Sequence, residues 1–140
     1  MDEKVKHWLD LADYDIDTAK AMQKTKRYLY VGFMCHQVAE KSLKAIIAKD
    51  CAENEIPPKI HNLLRLAELA GYLDKLTEAQ KSLLADLNPL NIEARYPEYK
   101  QQILAMLTKE KCKGFIKETE KFLCWIKEQL SPPPEDTPTP

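Results

Sequence analysis

The clearest structural signal in this chain comes from ten consecutive residues, Gln37-Val38-Ala39-Glu40-Lys41-Ser42-Leu43-Lys44-Ala45-Ile46. Ala, Glu, Lys and Leu are good helix formers and neither Gly nor Pro interrupts the run, so it predicts an α-helix. Four polar residues recur at helical spacing and share one face: Gln37, Glu40, Lys41 and Lys44. The opposite arc is apolar over more than half the circumference, which predicts a helix that packs against several neighbours.

The polar stripe formed by Gln37, Glu40, Lys41 and Lys44 has two interpretations. It is either a solvated face, in which Glu40 and Lys44 form an i, i+4 pair in the favourable order, or one wall of a site. A helix covered on most sides has little reason to keep Gln and Glu together unless they face a groove. The pattern alone leaves both interpretations open.

Composition limits the class of protein. The chain has 140 residues, of which 44% are apolar and 31% charged, as expected for one globular domain. Its formal net charge is −1, so the composition does not indicate strong non-specific attraction to nucleic acid, although a local basic patch stays possible. No metal-binding, phosphate-loop or hydrolase motif is present, and no Glu-x-x-His pair suggests a di-metal bundle.

Two features bear on location and redox state. No apolar run approaches the roughly 20 residues that cross a bilayer, and the amino terminus lacks a signal-peptide pattern, so we expect a cytoplasmic protein without membrane contact. Cys35, Cys112 and Cys124 fall on or near apolar helix faces, while Cys51 lies outside them. The four cysteines form no CxxC pair, which favours small buried thiols over metal ligands or disulfides.

Hydrophobic periodicity predicts an all-α fold, an antiparallel up-and-down bundle of about five helices. The expected helices span about 3–24, 29–50, 62–70, 78–88 and 109–130, with Thr77 and Thr108 as amino-terminal caps. Residues 90–107 are the least regular stretch. Residues 1–130 then form one domain, and residues 131–140, which hold five prolines, are expected to be a disordered tail.

Outside the stripe, two histidines and one loop could carry chemistry. His36 lies among apolar helix positions and is expected in or near the core, whereas His61 precedes a helix and suits a capping, packing or site role. Arg95-Tyr96-Pro97 puts an arginine on a segment that proline stiffens. An arginine fork binds phosphate or carboxylate bidentately and a tyrosine ring can stack on a base, although a surface salt bridge beside packed tyrosines fits equally.

Taken in order, several segments resemble the HEPN domain, named for higher eukaryotes and prokaryotes nucleotide-binding. The resemblance covers roughly residues 5–130 and rests on the ordered set rather than on one motif. Its residues are Trp8, Ala12, Asp15, Ile16 and Ala19, the run from Cys35 to Ala45, His61-Asn62-Leu63, Ala94-Arg95-Tyr96-Pro97, and the last helix through Trp125.

The resemblance implies an up-and-down bundle, commonly a homodimer, that often works beside a minimal nucleotidyltransferase, sometimes in toxin–antitoxin pairs. Three apolar residues that the predicted core does not use are candidates for a dimer surface: Leu29, Phe33 and Phe122. Family ribonucleases place a histidine four to six residues after an arginine. After Arg95 those positions hold Lys100, Gln101 and Gln102, and neither Lys nor Gln replaces a histidine well as a proton shuttle, which disfavours RNA as a substrate.

Three functions remain. The first is a non-catalytic nucleotide-binding module, with the nucleotide as ligand, no other cofactor and no metal, and with these site residues: Gln37, Glu40, Lys41, Lys44, His61, Arg95 and Tyr96. The second is a degenerate ribonuclease in which His36 or His61 replaces the missing histidine. The third is a partner-binding protein whose stripe and loop contact a nucleotidyltransferase.

Overall fold

The structure, a computed structural model, describes residues 2–92 and 97–131. In this part of the chain it contains six α-helices, two short 3₁₀ helices and no strand, which confirms the predicted all-α bundle. The α-helices are α1 (Glu3–Lys24), α2 (Tyr28–Lys49), α3 (Leu63–Leu69), α4 (Glu78–Leu87), α5 (Pro97–Met106) and α6 (Lys109–Leu130). The 3₁₀ helices are Leu73–Lys75 and Asn88–Leu90.

Local capping chemistry fixes the helix starts. The Thr77 hydroxyl accepts a hydrogen bond from the Gln80 backbone N–H at 3.1 Å, and the Gln80 side chain accepts one from the Thr77 N–H at 2.9 Å. This is the predicted capping box, and Thr108 caps α6 as expected. Asn62 caps α3 by accepting from the Arg65 N–H at 3.0 Å.

One helix differs from the sequence prediction. The stretch expected to be least regular contains α5, Pro97–Met106, which raises the number of α-helices from five to six within the described residues. Proline suits the first turn of a helix, where its missing N–H has no intrahelical partner. Ile103 is the one buried residue of α5, so the helix lacks the apolar stripe from which periodicity is recognised.

The core forms where α1, α2 and α6 pack along one another. The predicted α6 stripe is buried and comprises Cys112, Ile116, Thr119, Leu123, Ile126 and Leu130.

Two expectations about the burial of α6 residues were wrong. Phe122, a candidate for a dimer surface, is 1% exposed because it faces the same core, whereas Leu29 and Phe33 are half-buried. Cys124, expected to be a buried thiol, is exposed on the outer face of α6, while Cys35 and Cys112 are buried as predicted.

A close approach sets the position of the segment that follows α4. Gly32 lies on α2, and a Cβ atom built on it would stand 3.1 Å from the Cδ1 atoms of both Leu90 and Leu107. Both leucines are buried, so the absent side chain lets them pack directly on α2. The segments on either side of residues 93–96 are thereby held against the middle of the bundle.

Two further sequence predictions concern membrane-spanning helices and the proline-rich tail. Among residues 2–92 and 97–131, no helix combines the length and the apolar character needed to cross a membrane. Residues 132–140, which carry most of the predicted proline-rich tail, lie outside the described residues.

Candidate functional site

The polar stripe on α2 lies largely inside the protein. Glu40 and Lys44 are 5% and 6% exposed, and the Lys44 Nζ lies 3.2 Å from the Glu40 Oε2. Lys41 is half-buried and donates to the Asp15 carboxylate on α1. Gln37 is half-buried. A solvated face is therefore wrong for Glu40 and Lys44.

Helix α1 explains why these charges are buried. Trp8 of α1 lies over the end of Lys44, with the Nζ atom 5.7 Å from the ring centroid, a cation–π distance. The pairing of Lys44 with Glu40 and of Lys41 with Asp15 leaves each charge beside an opposite charge. Buried charges persist in proteins when they are paired in this way.

His61 is held by α2 at two points. Its side-chain Nδ1 lies 2.8 Å from the Glu40 Oε1, and its backbone carbonyl accepts a hydrogen bond from the His36 Nε2 at 3.1 Å. His36 and Glu40 are one turn apart, so they present both contacts from the same face of α2. The His61 side chain remains 56% exposed. Its ring is thus anchored at one nitrogen and open to solvent elsewhere.

His36 is the buried member of this arrangement. It is fully buried, as the sequence predicted, and its burial lowers the pKa from the ordinary 6.5 to about 4, against the opposing effect of Glu40. The ring is therefore neutral near pH 7, with the proton on Nε2 because that atom donates to the His61 carbonyl. Its Nδ1 is buried and has no hydrogen-bond partner among the residues that the structure describes. His36 therefore positions the backbone of His61 from within the core.

A polar groove opens beside His61. It has a volume of about 320 Å³ and is lined by His61, Asn62, Asn88, Pro89, Asn91 and Tyr99. The Asn62 Oδ1 accepts from the Arg65 N–H, and the Asn88 Oδ1 accepts from the Leu63 N–H at 2.7 Å. Among the described residues, no hydrogen bond engages the side-chain NH₂ groups of Asn62 and Asn88, so these two donors can serve a ligand.

The structure brings some of the predicted site residues together. Glu40, Lys44 and His61 form one connected cluster, and Lys41 joins its edge through Asp15. Arg95 and Tyr96 lie outside the described residues.

The positions after Arg95 at which family ribonucleases carry a histidine lie on α5. Gln101 and Gln102 are exposed and Lys100 is half-buried. Of the two histidines considered as replacements, His36 is fully buried, whereas His61 lines the polar groove. His61 is therefore the histidine that a substrate in the groove could reach.

Sequence reasoning missed the asparagines of the groove. Asn62 was recognised as a helix start and as part of the His61-Asn62-Leu63 segment, and Asn88 as a helix end, but neither was taken as a site residue. Both are helix-boundary residues, and their type gives no hint that the two boundaries adjoin in space. Among residues 2–92 and 97–131, no group of three or more His, Cys, Asp or Glu side chains is arranged to hold a metal ion.

The fold and the site together define an α-helical bundle with a polar groove beside a clamped histidine. The HEPN domain model matches residues 5–129, and the chain belongs to the HEPN domain family. The family membership inferred from the resemblance is thereby confirmed.

Two solved structures share the fold. TT1696 from Thermus thermophilus superposes with a TM-score of 0.74 at 18% identity, covering 91% of this chain and 99% of the other. ST0689, described as an archaeal HEPN homologue, has a TM-score of 0.62 at 19% identity, covering 94% of this chain and 100% of the other. No curated protein sequence matches the chain. At these identities the likeness establishes the fold alone.

Proposed function

We propose that this chain is a non-catalytic, nucleotide-binding HEPN module and that the polar groove is its ligand site. The observation that carries the proposal is the anchored His61 ring beside the Asn62 and Asn88 side chains, which line one groove. Ligand sites commonly join a few fixed polar groups to a concave surface, and the groove volume of about 320 Å³ lies within the range for small molecules.

Donor chemistry favours a phosphate-bearing ligand. The amide NH₂ groups of Asn62 and Asn88 donate hydrogen bonds, and phosphate oxygens are strong acceptors. Tyr99 supplies an aromatic wall on which a base can stack. These groups match the two ends of a nucleotide.

Chain connectivity supports a role for Arg95. It lies four residues after Asn91 and four before Tyr99, and both of these line the groove. In our proposal its guanidinium binds the phosphate bidentately, and Tyr96 adds a second stacking surface.

The stripe on α2 takes a supporting role in this proposal. Lys44 is 6% exposed and directed at Glu40 and Trp8, so we assign it to balancing the Glu40 charge beneath His61 rather than to phosphate contact. Lys41 fastens α2 to α1 through Asp15. Gln37 remains available at the half-buried margin of the stripe.

A thermal-shift panel of nucleoside mono- and triphosphates, with and without magnesium, tests the proposal. A ligand at 100 times its dissociation constant stabilises the folded state by about 2.7 kcal/mol, which is readily measured in a small domain. We expect at least one nucleotide to raise the unfolding temperature of the wild type. A flat panel would contradict the proposal.

Matched variants locate the site. Asn62→Asp and Asn88→Asp keep a side-chain oxygen for the backbone N–H that each asparagine caps, but they replace the NH₂ donor with a negative charge. We expect both variants, and Arg95→Ala, to fold normally and to lose the nucleotide shift. Arg27→Ala is the control, because Arg27 is an exposed arginine that does not line the groove. Unchanged affinity in all three variants would refute the assignment.

RNA cleavage is a second candidate function, and the Glu40–His61 contact favours it. A carboxylate at 2.8 Å from Nδ1 fixes the ring orientation and leaves Nε2 for proton transfer, as in other carboxylate–histidine pairs. His61 would take the proton of a ribose 2′-hydroxyl while the 2′-oxygen attacks phosphorus, and the departing 5′-oxygen would take a proton from water. RNA turnover that His61→Ala abolishes would establish this activity, and no turnover over a broad pH range would exclude it.

We propose a minimal nucleotidyltransferase as the protein partner, and family membership is what supports this proposal. Co-purification with the product of an adjacent gene of that class tests it. Lys41→Glu is the informative variant because Lys41 is half-buried at the bundle surface, whereas Lys44 is enclosed. Loss of co-purification in a folded Lys41→Glu protein would support a partner surface on α2.

A further inference from the structure

One end of the bundle carries a concentration of positive charge, and we call it the basic end. It consists of residues 24–27, which lead from α1 into α2, and the α6 residues 109–117. Glu110 is the one carboxylate in these two segments, and Lys111 lines a cavity beside α4 instead. The remaining cations are all exposed and form the basic end: Lys24, Lys26, Arg27, Lys109, Lys113 and Lys117.

Two contacts hold these segments together. The Gln23 side chain, at the end of α1, donates a hydrogen bond from Nε2 to the Lys109 backbone carbonyl at 3.1 Å. The Cys112 Sγ lies 3.8 Å from the Tyr28 carbonyl oxygen, at the start of α2. The turn between α1 and α2 therefore lies against the first turn of α6, so the six cations occupy one end of the molecule.

The fold does not explain the lysines on α6. Lys109, Lys113 and Lys117 recur every four residues, and like charges at this spacing destabilise a helix. Cations in the first turn also oppose the helix dipole, whose amino-terminal end is positive. Within residues 2–92 and 97–131, no ion pair engages any of the six cations, whereas Lys20 pairs with Glu120 at 3.2 Å. An anion outside the chain would relieve this repulsion.

The turn holds another lysine that the backbone does not favour. Lys26 has a φ of 61°, in the left-handed region where glycine is less strained than a residue with a Cβ atom. Among the described residues, Lys26 is the one non-glycine residue with a positive φ. Its charge rather than the shape of the turn therefore explains the lysine.

The arrangement of these groups indicates the chemistry of the ligand. The three α6 lysines form a row with a rise of about 6 Å between neighbours, which suits a chain of regularly spaced anions. Tyr30, in the first turn of α2 and three residues after Arg27, is 50% exposed and offers a ring on which a base can stack. Repeated phosphates and unpaired bases occur together in single-stranded nucleic acid.

We propose that the basic end binds single-stranded nucleic acid, with phosphates along the α6 row and one base stacked on Tyr30. Contacts between cations and phosphates carry no sequence information, so the proposal concerns binding and not sequence recognition. It does not depend on the proposed nucleotide site, because none of these residues lines the polar groove.

Fluorescence anisotropy of labelled oligouridylate and oligothymidylate with the full chain tests the proposal. When six phosphates are neutralised, the logarithm of the association constant falls with the logarithm of the salt concentration at a slope of about −4. We therefore expect the affinity to drop roughly 250-fold between about 50 and 200 mM salt. No binding at the lower salt concentration would overturn the proposal.

Paired variants locate the surface. Lys113→Gln/Lys117→Gln removes two cations, and we expect weaker binding and a salt slope that is less steep by about 1.4. Lys49→Gln/Lys59→Gln removes the same charge and is the matched control, since both lysines are exposed and lie outside the basic end. Equal slopes in the wild type and both double variants would place binding on another surface and overturn the proposal.

Lys26→Gly separates binding from folding. Glycine relieves the left-handed strain, so we expect the variant to unfold at a temperature at least as high as the wild type while it binds the oligonucleotide more weakly. Weaker binding in a variant that is no less stable supports a ligand contact at Lys26. Unchanged binding contradicts that contact.

Tyr30→Ala distinguishes nucleic acid from other polyanions. Loss of one stacked base should weaken oligonucleotide binding about tenfold and leave unchanged the binding of heparin, which carries sulfates but no bases. If Tyr30→Ala changes neither, the basic end is a general polyanion surface. Binding to phosphatidylserine vesicles but not to oligonucleotides would make it a membrane surface. Either result would overturn the proposal.

Discussion

Burial in the fold lowers the pKa of His36. Its pKa is about 4 in the folded protein and near 6.5 in the unfolded chain, because burial disfavours the protonated ring. Between these values the unfolded state binds more protons, so stability rises with pH. This contribution is complete above about pH 6.5 and is lost as the pH falls towards 4.

The variant His36→Gln isolates that titration. A Gln side-chain N–H can replace the Nε2 donor to the His61 carbonyl and does not ionise in this range. We expect the wild type to lose about 3 kcal/mol more unfolding free energy than His36→Gln between pH 7 and pH 4. Urea unfolding at stepped pH measures the difference. Parallel pH profiles for the two proteins would contradict a buried neutral His36.

A second prediction at the residue scale concerns the Glu40–Lys44 ion pair. Both side chains are about as buried as core residues, so Glu40→Ala leaves the Lys44 charge without its neighbour. We expect a loss of about 3 kcal/mol in unfolding free energy, measured by urea titration.

Removing both charges supplies the control for that loss. The double variant Glu40→Leu/Lys44→Met deletes the pair together, and we expect it to recover most of the stability because no unpaired buried charge remains. If Glu40→Ala and the double variant are equally unstable, the loss comes from packing rather than charge.

At the scale of elements, the glycine on α2 tests how closely the segment after α4 packs. Gly32→Ala would bring a methyl group to 3.1 Å from the buried Leu90 and Leu107 side chains. Overpacking of this kind costs about 1–3 kcal/mol, and all but the lowest part of that range exceeds the helix-propensity gain of about 1 kcal/mol from replacing glycine. We therefore expect a net loss of stability in urea unfolding.

Gly114→Ala is the matched comparison on α6. It has the same propensity gain and no neighbour within 4 Å among the described residues, so we expect a gain of about 1 kcal/mol in unfolding free energy. A gain of equal size in Gly32→Ala would contradict the close packing of Leu90 and Leu107 on α2.

Helix boundaries could be predicted from the sequence where hydrophobic periodicity or capping residues marked them. The predicted ends of α1 and α2 agree with the structure to within a residue, and the Thr77–Gln80 capping box appears as expected. Helix α5 was missed because Ile103 is its one buried residue, so tertiary packing rather than an apolar period determines it.

At the scale of the whole molecule, the candidate site could be predicted only in part. The spacing of Glu40 and Lys44 identified a polar cluster, but its burial depends on Trp8 and Asp15 of α1, which no local pattern relates to α2. His61 contacts Glu40, which lies 21 positions before it in the sequence, and His36, which lies 25 positions before it. Such long-range pairing arises from the packing of the bundle, so the sequence pattern does not specify it.

The most direct test of nucleotide binding is an NMR titration of the isotopically labelled chain with a nucleotide that stabilises it. The side-chain NH₂ resonances of Asn62 and Asn88 report on the polar groove itself, and the His61 ring reports on its wall. We predict that these resonances shift together and saturate at one dissociation constant. Shifts confined to other surfaces, or no shifts at saturating nucleotide, would contradict the assignment of the groove as the ligand site.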